Sequence, residues 1–115
     1  MALNRDIDRL ELIVELIDHI HRRLSIVTED AFLRNQDEID LTSFRLLHIG
    51  EAAHKLSADI KARHPALPWA AIYQMRNVIS HDYPAIIPWR IWDTATTKLD
   101  ELRVLCRAEL DNLAE

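Results

Sequence analysis

One short stretch of the sequence, RNVISHDYP over residues 76–84, contains side chains suited to phosphate chemistry. Arg76 can bind a phosphate through two parallel hydrogen bonds. His81 is a candidate proton carrier, because imidazole is the side chain used most often in general acid–base catalysis. The 2′-hydroxyl of RNA is an internal nucleophile, so cleavage there needs a base, an acid and a cation, but no metal-activated water. The residue types therefore indicate phosphodiester cleavage in RNA.

The spacing within this stretch leaves the arrangement of the site open. At about 3.6 residues per turn, Arg76 and His81 lie about 140° apart around a helix axis, so we expect a straight helix to keep them from sharing one small ligand. Asn77 and His81 share a face. Either the helix end bends the two groups together or a second subunit completes the site, since one chain supplies one histidine here and a two-fold dimer supplies two. Spacing alone also allows simple C-terminal capping or surface roles.

A rival site comes from two carboxylate and histidine pairs elsewhere in the chain. Asp18-x-x-His21 and Glu51-x-x-His54 have the spacing that binds metals inside four-helix bundles. The first pair has aspartate where the di-metal pattern has glutamate, so this is the weaker hypothesis. We predict no metal ligands and no cofactor.

The elements that must position these side chains are predicted to be helices. With one glycine and four prolines, the chain lacks the turn residues that many-stranded folds require. Apolar residues recur at spacings of three and four between prolines and N-cap residues. The predicted helices cover residues 4–27, 29–34, 37–64, 69–82 and the part from 88 onward. We therefore predict an all-α fold, an antiparallel up-down bundle of four main helices plus a short one, forming a single domain over residues 1–115.

Several single residues carry further expectations. Gly50 lies inside a predicted helix, where a glycine costs about 1 kcal/mol relative to alanine, so we expect a neighbouring helix to approach it closely. Cys106, the one cysteine, falls on an apolar stripe and is predicted to be a buried core residue. Trp69, Trp89 and Trp92 are expected in core packing or dimer contacts.

The charge distribution bears on partners. The formal net charge of −5 argues against a general nucleic-acid coating protein. Residues 61–90, however, contain four basic residues against Asp82 alone, so the motif lies in a basic segment. The first twenty residues alternate charged and apolar side chains and lack an apolar run of the ~20 residues that a membrane span requires. We expect a cytoplasmic protein without a membrane partner.

The motif Arg76-Asn77-x-x-x-His81-x-Tyr83 resembles the Arg-x4-His-x-Tyr signature of the HepT-like toxins, a branch of the HEPN superfamily. Four other segments are similar to the same family: IGEAAHKLS at 49–57, ARHPALPWAAIYQMRN at 62–77, and the shorter DRL and FLRN. The resemblance covers nearly the whole chain. It implies a HEPN-like bundle that forms a homodimer, in which Arg and His of both subunits line the cleft of a metal-independent endoribonuclease.

The resemblance also implies a role for each residue of the motif. Arg76 would hold the scissile phosphate and stabilise its developing charge, and His81 would be the acid or base. Asn77 would orient the phosphate or the histidine. The chain would be the toxin of a toxin–antitoxin pair, and a minimal nucleotidyltransferase antitoxin would transfer AMP from ATP to the Tyr83 hydroxyl. The bulky anion would block a cleft meant for an RNA phosphate. The implied partners are RNA, this antitoxin and a second copy of the chain, but not DNA.

The chain departs from the family pattern next to Tyr83. Family members often have a small residue between the histidine and the tyrosine, followed by an aromatic residue, whereas this chain has Asp82 and then Pro84. Asp82 could orient an imidazole or repel RNA. Two alternatives stay open: Tyr83 as a helix-end packing residue, and the whole chain as a non-catalytic helical module that docks a nucleotidyltransferase partner.

Overall fold

A computed structural model describes residues 2–114, which form seven α-helices and one 3₁₀ turn. The helices are α1 (Ala2–Leu24), α2 (Glu29–Leu33), α3 (Gln36–His54), α4 (Ala58–Arg63), α5 (Trp69–His81), α6 (Pro88–Thr97) and α7 (Asp100–Ala114), and the 3₁₀ turn covers Tyr83–Ala85. The prediction of an all-α helical bundle is confirmed. The single domain over residues 1–115 stays a prediction, and residues 1 and 115 lie outside the described part.

The long helices α1 and α3 run antiparallel. Arg23 near the end of α1 forms an ion pair with Glu38 near the start of α3. At the other end, the Ser57 amide, just after α3, donates a hydrogen bond of 3.1 Å to the Asp6 carboxylate of α1. Because Glu38 and Asp6 are both buried, these polar contacts satisfy carboxylates that would otherwise destabilise the bundle.

The core lies where the apolar stripes of the helices meet. The largest fully buried side chains are Leu10, Ile13, Ile17, Ile20, Phe32, Leu102 and Cys106. The burial of Cys106 confirms its prediction as a core residue. Trp92 packs against Phe32 with ring centroids 5.2 Å apart, whereas Trp89 is 53% exposed and lies outside the core. A dimer contact through Trp89 stays a prediction.

Two helices that the sequence pattern predicts as continuous are interrupted. The helix predicted over residues 37–64 ends at His54 and resumes as α4, because the Ser57 hydroxyl accepts a hydrogen bond from the Ile60 amide and caps a new helix. The helix predicted from Pro88 onward breaks at Lys98, after Thr97, whose hydroxyl donates to the Asp93 carbonyl at 2.6 Å. The prediction that each of these helices is continuous was wrong, because the spacing of apolar residues does not show where a side chain bonds to the backbone and ends or starts a helix.

The first helix is also shorter than predicted. It ends at Leu24 instead of Val27, and the Ser25 hydroxyl donates to the Arg22 carbonyl at 2.7 Å just beyond the end. Thr28 caps α2, because its hydroxyl accepts a hydrogen bond of 3.1 Å from the Ala31 amide. Over the described residues, none of the helices combines the length and the apolar character needed to cross a membrane.

Candidate active site

The end of α5 sets the positions of the histidine and the tyrosine. His81 is the last residue of α5, and Asp82 leaves the helix with φ −143° and ψ 57°. Pro84 then lies in the 3₁₀ turn, where the Ala85 amide bonds to the Asp82 carbonyl at 2.8 Å. The helix predicted over residues 69–82 is found, and it ends at His81 because Asp82 leaves helical geometry. Pro84 lacks the backbone N–H that a continued α-helix would need. His81 therefore still belongs to α5, whereas Tyr83 lies beyond its end in the 3₁₀ turn.

Arg76 and His81 meet within one chain. Arg76 Nη1 lies 3.4 Å from His81 Nε2. The expectation that these residues cannot converge from a straight helix was wrong, because α5 remains α-helical from Trp69 to His81 and the long arginine side chain spans the angle between them. A guanidinium and an imidazole in contact can both reach one phosphate.

Glu51 of α3 anchors the guanidinium of Arg76. Arg76 Nε and Nη2 each lie 2.6 Å from Glu51 Oε2. On the other edge, Arg76 Nη1 donates to Asn77 Oδ1 at 2.9 Å. The hydrogen bond from Arg76 lowers the pKa of the Glu51 carboxyl, so Glu51 stays ionised. The guanidinium is therefore held from α3, and its Nη1 edge is directed towards Asn77 and His81.

This anchoring role was missed in the sequence, where Glu51 was paired with His54 as a metal-ligand candidate. Asp18, from the other pair, receives a hydrogen bond of 2.7 Å from Arg103 Nε. In the described part of the chain, no three His, Cys, Asp or Glu side chains are grouped to hold a metal ion. The carboxylate of each pair is thus engaged in an ion pair with an arginine instead.

Gly50 allows α3 and α5 to approach each other at this site. A Cβ added at Gly50 would lie 2.7 Å from Arg76 Cβ and 3.4 Å from the Ile72 carbonyl oxygen. The predicted close approach is therefore confirmed. Because Gly50 precedes Glu51, the same approach brings the anchoring carboxylate opposite Arg76.

A second histidine of the same chain lies beside this cluster. The His54 ring stacks on Tyr73, with centroids 3.9 Å apart and an interplanar angle of 17°. Arg76 Cζ lies 5.9 Å from the centroid of the same tyrosine ring, a cation–π distance. Tyr73 thus connects His54 to the guanidinium, although His54 and Arg76 are 22 positions apart in the sequence and no spacing rule joins them.

The hydroxyl of Tyr83 bonds to the first turns of α3. It donates to Asp40 Oδ1 at 2.6 Å and accepts from Gln36 Nε2 at 3.1 Å. Gln36 Nε2 also donates to Asp40 Oδ1 at 2.9 Å. The bond to Asp40 raises the pKa of Tyr83 and lowers the pKa of Asp40. With 54% of Tyr83 exposed, the hydroxyl is held in place on an accessible side chain, and a packing role alone does not describe it.

The comparisons with known proteins agree with the motif. A family model described as Ribonuclease HepT-like matches residues 10–109. "Probable ribonuclease HepT" of Thermococcus cleftensis is 28% identical over 96 residues, covering 84% of this chain and 87% of that protein. A candidate RNase of Methanocaldococcus jannaschii is 28% identical over 92 residues, covering 79% of this chain and 75% of that protein. No solved structure gives a significant match. The family match spans most of the chain, which therefore belongs to the HepT-like ribonuclease family.

Proposed function

We propose that this chain is the toxin of a toxin–antitoxin pair and acts as a metal-independent endoribonuclease, with Arg76 and His81 as its catalytic residues. The observation that carries the proposal is the 3.4 Å separation of Arg76 Nη1 and His81 Nε2. The membership of the HepT-like ribonuclease family supports RNA as the substrate.

The chemistry follows from the two side chains. A base removes the proton of the 2′-hydroxyl, whose oxygen attacks the adjacent phosphorus, and an acid protonates the departing 5′-oxygen. Arg76 binds the phosphate through its Nη1 edge and stabilises the charge that develops in the transition state. His81 acts as the acid or the base, and Asn77, already bonded to Arg76 at 2.9 Å, orients the guanidinium. The product is a 2′,3′-cyclic phosphate.

We propose that the active enzyme is a homodimer. The motif provides one histidine per chain, whereas the two proton transfers are most simply divided between two. A two-fold axis near α5 would bring a second His81 and a second Arg76 to the same cleft. His54 also lies near Arg76, with Tyr73 between them, so it is a second possible source of the additional histidine. Losing a catalytic acid or base costs about 100-fold or more in rate. If the partner's His81 is the second acid or base, His54→Ala should therefore keep the rate of RNA cleavage within about twofold of wild type.

We also propose that a minimal nucleotidyltransferase antitoxin silences the toxin by transferring AMP to Tyr83. The half-exposed side chain of Tyr83, two residues after His81, supports this site. The added phosphate and nucleoside would oppose RNA phosphates by charge and by volume. Tyr83→Phe is expected to cut RNA and to escape the antitoxin; AMP found on another residue by mass spectrometry would overturn this choice of site.

The test compares wild type, Arg76→Ala, His81→Ala and the control Arg90→Ala on labelled RNA with EDTA present. Wild type and Arg90→Ala are expected to cut RNA, to leave 2′,3′-cyclic ends and to spare DNA of the same sequence. Arg76→Ala and His81→Ala should each lose about 100-fold or more in rate. Wild-type rates in both variants would exclude the catalytic roles. A wild-type chain that binds the nucleotidyltransferase without cutting RNA would favour the non-catalytic module instead.

A further inference from the structure

The Tyr83 hydroxyl is oriented by two side chains that the catalytic motif does not include. It donates its proton to Asp40 at 2.6 Å and receives a hydrogen bond from Gln36 at 3.1 Å. Both partners lie on α3, one helical turn apart, and Gln36 also bonds to Asp40 at 2.9 Å. The three groups form a closed triangle of hydrogen bonds, so the hydroxyl proton points at the carboxylate.

We propose that Asp40 is the catalytic proton acceptor when a nucleotidyl group is transferred to Tyr83, an inference that rests on the proposed modification of that residue. The Tyr83 oxygen attacks the α-phosphorus of a nucleoside triphosphate held by the nucleotidyltransferase. The new bond joins this oxygen to the α-phosphorus, and the bond from the α-phosphorus to the bridging oxygen breaks, so pyrophosphate departs with the electron pair. The phenolic proton passes to the Asp40 carboxylate and then to water. The toxin thereby contributes a catalytic group to its own modification.

The geometry suits a proton acceptor that acts late in the transfer. The ordinary pKa values of tyrosine and aspartate are about six units apart, and the hydrogen bond widens this gap by raising the pKa of Tyr83 and lowering that of Asp40. The resting hydroxyl therefore keeps its proton. As the oxygen bonds to phosphorus, its proton becomes strongly acidic, and a carboxylate already in contact can accept it, as an aspartate does for the hydroxyl substrates of protein kinases.

Gln36 acts as a positioning residue in this arrangement. Its amide donates to both oxygens, so it fixes the distance between them and occupies one lone pair of the hydroxyl. Another lone pair of the Tyr83 oxygen stays available for attack on phosphorus. At the start of α3, Gln36 is exposed and Asp40 is partly buried. A partner protein can therefore reach the phenol oxygen of Tyr83.

The experiment measures transfer of labelled AMP from ATP to the full-length chain by the cognate nucleotidyltransferase between pH 6 and 9. It compares wild type, Asp40→Asn and the control Asp37→Asn, which removes the same charge from an exposed position three residues earlier. Asp40→Asn keeps an oxygen that accepts the hydrogen bond but removes the base. His81 and Asp82, which precede Tyr83 along the chain, are common to all three proteins, as are the groups of the transferase, so ratios of rates isolate Asp40.

We expect wild type and Asp37→Asn to be labelled at similar rates that change little with pH. Asp40→Asn should be labelled about 100-fold more slowly at pH 7, and its rate should rise about tenfold per pH unit because it depends on ionised tyrosine. Labelling of Asp40→Asn at the wild-type rate, or at a slow rate that does not rise with pH, would show that Asp40 is not the proton acceptor. Either result would leave the modification of Tyr83 itself in place. A wild-type chain that cuts RNA but is never labelled would instead overturn the modification of Tyr83. Circular dichroism of each variant checks that it is folded.

Discussion

The close approach of α5 to Gly50 of α3 leads to a quantitative prediction for Gly50→Ala. The added Cβ would lie 2.7 Å from Arg76 Cβ, a distance at which two carbon atoms overlap. Arg76 Cβ is fixed to the backbone of α5, so rotating the side chain cannot relieve the overlap. The two helices must separate by several tenths of an ångström, or Arg76 must shift along with its backbone.

Two opposing effects determine the size of the stability change. Overpacking a close contact costs about 2 kcal/mol, whereas alanine is better than glycine inside a helix by about 1 kcal/mol. The net loss in the free energy of unfolding should therefore be about 1 kcal/mol, which lowers Tm by about 4 °C for a chain of this size. Because Arg76 moves with α5, the rate of RNA cleavage should also fall, by about tenfold.

The assay is urea unfolding followed by circular dichroism at one protein concentration, extended to a double-mutant cycle with Arg76→Gly. Removing the Arg76 side chain and its Cβ eliminates the overlap, so Gly50→Ala should stabilise the Arg76→Gly background by about 1 kcal/mol. The coupling between the two positions is then about 2 kcal/mol. If Gly50→Ala stabilised the wild-type chain by the same amount, the steric explanation of this glycine would be refuted.

Three further predictions concern other contacts. Glu51→Ala should lower kcat/KM for RNA at least tenfold by releasing the Arg76 guanidinium, while Glu51→Gln, which keeps a hydrogen-bond acceptor, should retain most activity; equal rates in both would contradict anchoring. Arg63 lowers the pKa of the buried Glu109, so ionised Glu109 stabilises the fold above the unfolded-state pKa of about 4.3 and this contribution disappears as the pH falls through the lower folded-state pKa. Glu109→Gln should therefore lower the free energy of unfolding by about 1–3 kcal/mol at pH 7, and by less as the pH falls, as measured by urea unfolding. The exposed Glu101→Gln should leave the free energy of unfolding unchanged. Burial raises the pKa of Cys106 to about 12, so iodoacetamide at pH 8 should label it in urea and not in the native chain, and rapid native labelling would argue against its burial.

The bundle itself was readable from the sequence because helical periodicity and proline stops are local properties. The apolar stripe of α1 and the stop before Pro84 correspond to buried residues and to the observed end of α5. The errors lie where capping competes with periodicity. Ser57 caps a new helix inside an uninterrupted apolar pattern. The spacing of apolar residues does not reveal that a hydroxyl will bond to a nearby backbone amide.

Within the candidate site, the sequence by itself determined the residue types and their order: an arginine, a histidine five positions later and a tyrosine before a proline. It also determined that Gly50 needed a close neighbour, since a glycine inside a helix is otherwise unfavourable. Only the tertiary structure decided that Arg76 contacts His81, that Glu51 serves the arginine, and that Asp40 and Gln36 hold Tyr83. The reason is physical: Asp40 and Tyr83 are 43 positions apart, and only the antiparallel packing of α3 against α5 brings such distant side chains within hydrogen-bonding distance.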